Sequence, residues 1–257
     1  MDVNKNSYTF GFAAVMVIIV AALLSVAAIS LKPYQDRNIE LEKKQSILSS
    51  VGIAVERGAA ELPYEEYIKQ AIVLNADGEE IEGVAADVNL AVELKKDPKD
   101  QQYPLYISEK DGNRRYIIPL RGKGLWGPIW GYIALEKDLN TVFGAVFDHK
   151  AETPGLGAEI NRPFFQDPFA GKIIYNQTGE FVSVAVVKGT ASSEDMHAVN
   201  GISGGTITSN GVSDMLKERL EKYLPYFEKH QPAAEVAEIM EFMEQEENEN
   251  DSIQKLN

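Results

Sequence analysis

The sequence predicts an α+β protein: a single N-terminal transmembrane helix followed by one domain with a largely antiparallel sheet and flanking helices. Three observations predict it. An uncharged run, FGFAAVMVIIVAALLSVAAISL from Phe10 to Leu31, has 22 residues and is long enough, at about 1.5 Å per residue, to cross a bilayer core. DG or TG turns then fall between β-rich runs in three places, the pattern of hairpins. Late in the chain, apolar residues recur at three- and four-residue spacing among charges, as on one face of a helix.

Taken in order, residues 1–9 form a short tail and residues 10–31 the membrane anchor. A cleaved signal peptide is the competing reading, but its apolar region runs to about 7–15 residues and its basic start is stronger than the lone Lys5 here. Lys5 is offset by Asp2, and Lys32, Arg37, Lys43 and Lys44 are mixed with acids, so charge leaves the orientation open. Residues 32–52 read as a connecting helix carrying Ile39, Leu41, Ile47 and Leu48 among charges toward Gly52. A short helix at LPYEEYIKQ opens the main domain, 53–230.

Within that domain AIVLNADGEEIEG, LYISEKDGNRRYIIPL and GKIIYNQTGEFVSVAVVKG read as hairpins, and GYIALE and TVFGAVFDHKAE as further strands. Their alternation suits a sheet covered on one face. Val212, Leu216, Leu220, Tyr223 and Leu224 place a helix from Ser213 onward, which Pro225 should kink or end. From Glu235 to Asp251 the chain carries seven glutamates and one aspartate, so residues 231–257 read as an acidic tail, partly disordered.

Composition removes several functions. With 25 basic against 39 acidic residues and a formal charge of -14, the chain repels polyphosphate and is not a general nucleic-acid binder. It has no cysteine, which excludes disulfides, thiolate metal sites and cysteine nucleophiles. His149, His197 and His230 have no metal-ligand spacing, so no metal site is expected and redox chemistry would need an organic cofactor.

Three stretches are candidates for chemistry. GKGLWG at 122–127 matches GxGxxG, but Pro128 and the β-type run IWGYIALE follow where a dinucleotide fingerprint needs a helix. The glycines instead suit a tight strand-to-strand loop displaying Trp126, which could pack or stack on a planar ring. HKAETPGLGAEI at 149–160 forces an exposed turn, with Glu152 and Thr153 at its lip. Neither a His149–Glu152 pair nor a Ser203–His149 hydrolase is convincing, since no nucleophile elbow surrounds Ser203. SGGTITS at 203–209 supports two readings. Its hydroxyls could cap the helix that follows; or Gly204 and Gly205 could clear the approach of a phosphate to Thr206 at the positive helix end, with Ser203, Thr208 or Ser209 assisting.

Together these stretches resemble the FMN-binding domains of bacterial respiratory complexes. SGGTITS is similar to their flavinylation motif, an acid, two variable residues, Ser or Thr, Gly, Ala, Thr, except that Asn200 stands at the acid and Gly205 at the alanine. GKGLWGPIWGYIALE and ETPGLGAEI are similar to their two flavin-contacting loops. LKPYQDRNIELEKKQSILSSVGI resembles, more narrowly, the C-subunit family of sodium-translocating NADH:quinone oxidoreductases; the G subunits of Rnf complexes share the loops but fit this segment less well.

The resemblance implies FMN esterified through its phosphate to Thr206, by a separate flavin transferase using FAD. It implies a pocket of Leu125, Trp126, Gly127, Glu152, Thr153, Leu156 and Gly157 for the isoalloxazine and ribityl chain. It further implies a single-pass subunit of the bacterial inner membrane, held in lipid by residues 10–31, with its flavin domain on the periplasmic side. There it would relay electrons among other subunits of a sodium-exporting, ubiquinone-reducing complex while having no complete active site of its own. An Rnf-type subunit and, from another class, a non-catalytic flavin-binding or sensor module at the membrane are the alternatives.

Overall fold

The computed structural model describes residues 6–231. The acidic run from Glu235 and most of the N-terminal tail lie outside them. Helix α1, Asn6–Ser50, is continuous through Pro33, so the expected anchor and connecting helix form one element without a break. An 18-residue apolar stretch of it is wholly exposed. The first residue of α1 to be buried is Leu41, followed by Ile47 and Leu48.

The expected short helix appears as α2, Glu61–Tyr67, shorter than its sequence suggests because Ile68 already enters a strand. Strand β1, Ile68–Leu74, pairs with the two-residue β2, Glu80–Ile81, across the NADG turn. After the four-residue helix α3, Leu90–Glu93, come β3, Tyr103–Lys110, and β4, Asn113–Lys123. Their turn has Asp111 and Gly112 at φ 53° and 77°, the two left-handed residues that a DG hairpin turn requires. Strands β5, Pro128–Leu135, and β6, Val142–His149, complete an antiparallel sheet in the order β2-β1-β3-β4-β5-β6.

The sheet is covered on both faces, not one. In β4, Ile118 and Leu120 point into the larger core while Ile117 points into the second; in β5, Ile133 and Tyr132 divide in the same way. The larger core is closed by α5, Thr206–Leu220, by α6, Leu224–His230, and by the segment containing the short α4, Pro163–Gln166. The second core is closed by Ile47, Leu48 and Val51 at the end of α1. Burial there pushes the Tyr106 and Tyr132 phenols well above their ordinary range. The sequence alternation misses this lid because the residues that make it belong to the connecting helix, far from the strands in sequence.

Two further expectations are corrected. GKIIYNQTGEFVSVAVVKG does not make a hairpin. Its turn forms, with Asn176 Oδ1 accepting from Thr178 N–H and Glu180 N–H, but the pairing across it stops after Tyr175–Phe181 and the bonds of Val182 and Ser183 N–H to Ile174 O. Ser183 at φ 64° then redirects the chain. Strand β7, Ala185–Val187, pairs instead in parallel with β8, Ala198–Asn200, immediately before SGGTITS. The late helix begins at Thr206, not Ser213, so the motif itself supplies the first helical turn. Pro225 opens α6 at its first turn, where its missing N–H costs nothing, instead of merely ending α5.

Candidate functional site

The β4–β5 hairpin loop, the loop after β6 and the start of α5 meet at one end of the sheet. The loop at 124–127 closes through Gly124 N–H donating to Gly127 O at 2.7 Å, and no helix follows it. At α5, Gly205 is the N-cap and no side chain caps the helix. Thr206 is the first helical residue and is exposed. The free N–H groups of a first turn and the positive end of the dipole therefore lie beside its hydroxyl.

The hydroxyls of SGGTITS have separate roles. Thr208 is buried and donates a short hydrogen bond to Glu152 Oε2. Ser209 is buried and accepts from Ile202 N–H at 3.1 Å, tying the loop to its own helix. Ser203 and Thr206 are both exposed. Upstream, Asn200 Oδ1 accepts from Ala191 N–H at 2.7 Å, an acceptor role that an aspartate at this place would fill equally.

Two clefts adjoin Thr206. One, of about 250 Å³, is walled by Leu125, Glu152, Thr153, Leu156 and Gly157, with Gly204, Gly205, Thr206, Ile207 and Thr208 opposite. The other, of about 470 Å³, has the polar side chains Lys188, Thr190, Asn200, Ser203 and Asn210 in its lining. Gly204 and Thr206 border both. Of the expected pocket residues, Ser203 is on the second cleft, and Trp126 and Gly127 are outside both walls. Trp126 exposes 66% of its surface, and its backbone N–H donates to Glu152 Oε1 at 2.9 Å.

Glu152 is 4% exposed and joins all three loops. The two glycines nearest to it leave room for that: a Cβ on Gly157 would collide with Thr208 Oγ1, and one on Gly124 would lie 2.6 Å from Glu152 Oε1. His149 does not form a catalytic dyad with Glu152; its Nδ1 accepts the Glu152 backbone N–H at 3.2 Å. Sequence reasoning missed Ile207, 57% exposed on the cleft wall, and Lys188 on the second cleft. An apolar residue between two threonines in an exposed first turn is the signal that could have found Ile207.

Exposed Leu125, Leu156 and Ile207 around a cleft, beside a hydroxyl at a helix N-terminus, suit a ligand with a planar apolar ring and an anionic end. Residues 124–221 match the family model for the FMN-binding domain. The chain is 32% identical over 233 residues to the C subunit of the Na(+)-translocating NADH-quinone reductase of Haemophilus ducreyi, covering 83% of this chain and 90% of that one. It is 31% identical to the protein of the same name from Vibrio alginolyticus, covering 82% and 90%. The crystal structure of the corresponding C subunit from Parabacteroides distasonis superposes with a TM-score of 0.70 at 44% identity, over 77% of this chain and 96% of that one. The NqrC structure from Shewanella oneidensis gives 0.65 at 25% identity, over 74% and 96%.

Proposed function

Because the chain belongs to the C-subunit family of the Na(+)-translocating NADH-quinone reductases, we propose that it is an electron-relay subunit of such a complex, with FMN esterified to Thr206. The observation that carries the site is the position of Thr206: exposed, first in α5, and on the border of both clefts. The named relatives are C subunits, which favours this complex over an Rnf-type one. FMN supplies the electron-carrying chemistry when bound.

This chain's residues provide position and environment. The apolar rim of Leu125, Leu156 and Ile207 seats a flat ring, and the first-turn N–H groups of α5 hold an anion next to Thr206. A cleft of about 250 Å³ is smaller than one that encloses a drug-sized ligand, so a ring held there keeps an edge open to an electron donor or acceptor. In attachment, the Thr206 Oγ–P bond forms as the P–O–P bond of FAD breaks and AMP leaves. Glu152, the acid on the same cleft wall, is engaged by Thr208 and by Trp126 N–H. On this reading the hydroxyl proton passes to a base of a separate flavin transferase.

Residues 10–31 anchor the chain as a single pass in the lipid of the bacterial inner membrane, with the sheet domain on the periplasmic side, beside the other subunits. The test is to express wild-type and Thr206→Ala chains with an active flavin transferase and read flavin fluorescence in a denaturing gel. Wild type should fluoresce and Thr206→Ala should be dark. A dark wild type defeats covalent attachment, and a fluorescent Thr206→Ala defeats the residue assignment.

A further inference from the structure

Glu152 is a buried acid on the wall of the apolar cleft. Both of its oxygens have partners: Oε1 accepts from Trp126 N–H, and Oε2 is paired with the Thr208 hydroxyl. Among the described residues no lysine, arginine or histidine forms an ion pair with it. Its two partners, a backbone N–H and a hydroxyl, carry no formal charge.

Resting on the flavin reading above, we propose that Glu152 is a positioning residue with an electrostatic role: it stands in the cleft wall as a carboxylate, and its charge lowers the reduction potential of the bound flavin. The electron added on reduction enters a cleft that already contains a negative charge screened from water, and Coulomb repulsion in so dry a setting is stronger than at the surface. The same carboxylate fixes the 124–127 loop to α5, so the charge sits at a defined place. Gly124 and Gly157 serve this arrangement, since a side chain at either would displace the carboxylate.

The test uses the full-length chain, flavinylated and purified in detergent, with the midpoint potential of its flavin measured by spectroelectrochemical titration. Glu152→Gln keeps the shape and one acceptor but removes the charge; the midpoint of the flavin that loads should move to more positive potential. Thr208→Val keeps the charge but removes a hydrogen bond that offsets it, so the midpoint should move the other way. A purely structural role would shift both variants in the same direction or neither, and that result overturns the proposal. Thermal melts of the flavin-free variants show whether each has folded, and if Glu152→Gln does not fold or load, the sign of the Thr208→Val shift decides. A wild type without covalent flavin would defeat the flavin reading; a loaded wild type with variants that fail the sign test defeats this inference alone.

Discussion

At Gly157 and Gly112 the same substitution probes two different constraints. Gly157 has no room for a β-carbon between Thr208 and Glu152. Gly157→Ala should therefore cost about 1–3 kcal/mol in urea unfolding and reduce the yield of covalent flavin. Gly112 has open space around it but sits at φ 77°, so Gly112→Ala should cost about 1–2 kcal/mol from backbone strain alone and leave flavin yield unchanged. Thr206 was legible as a hydroxyl beside two glycines, although what crowds those glycines, Leu156 and Gly157, lies in another loop. Glu152 was legible only as a loop acid: its partner Thr208 is 56 positions away, and no local pattern encodes that contact.

Among the elements, the hairpin strands were readable wherever a turn and its flanking alternation agreed, as in β3 and β4. They were not readable after Asn176, where the turn forms but the strand leaves it to pair with β8. The start of α5 was placed late because Thr, Ser, Asn and Gly dominate its first turns and have weak helix propensity, while Ser209 and Ser213 are held by tertiary hydrogen bonds to Ile202 and Val186. The apolar face of α5 carries its stability. Leu216 is fully buried against the sheet, and Leu216→Ala should cost about 2–5 kcal/mol in urea unfolding.

For the whole molecule, the proposed anchor and the lid of the second core belong to one continuous helix. About ten residues of exposed helix, roughly 15 Å, separate Leu31 from the first buried residue, Leu41. A chain beginning at residue 36 keeps the lid of the second core. One beginning at residue 53 loses Ile47, Leu48 and Val51 from it and should be less stable by about 5 kcal/mol, as compared by urea unfolding of the two. Alkaline pH probes both cores together. Burial pushes Tyr175 and Tyr226 up to about 12 and Tyr106 and Tyr132 higher. The unfolded chain releases these protons from about pH 10; stability is full below that pH and falls as it rises toward 12, which a series of urea midpoints will show.

Attachment of flavin at Thr206 is the claim on which the relay depends, and tandem mass spectrometry of the tryptic peptide 189–217 tests it most directly. That peptide contains Ser203, Thr206, Thr208 and Ser209, so intact mass alone does not separate them. With protein made alongside an active transferase, one FMN is predicted, joined with loss of water, on a fragment series that places it at Thr206. An unmodified peptide, or a flavin on Ser203, Thr208 or Ser209, would contradict it.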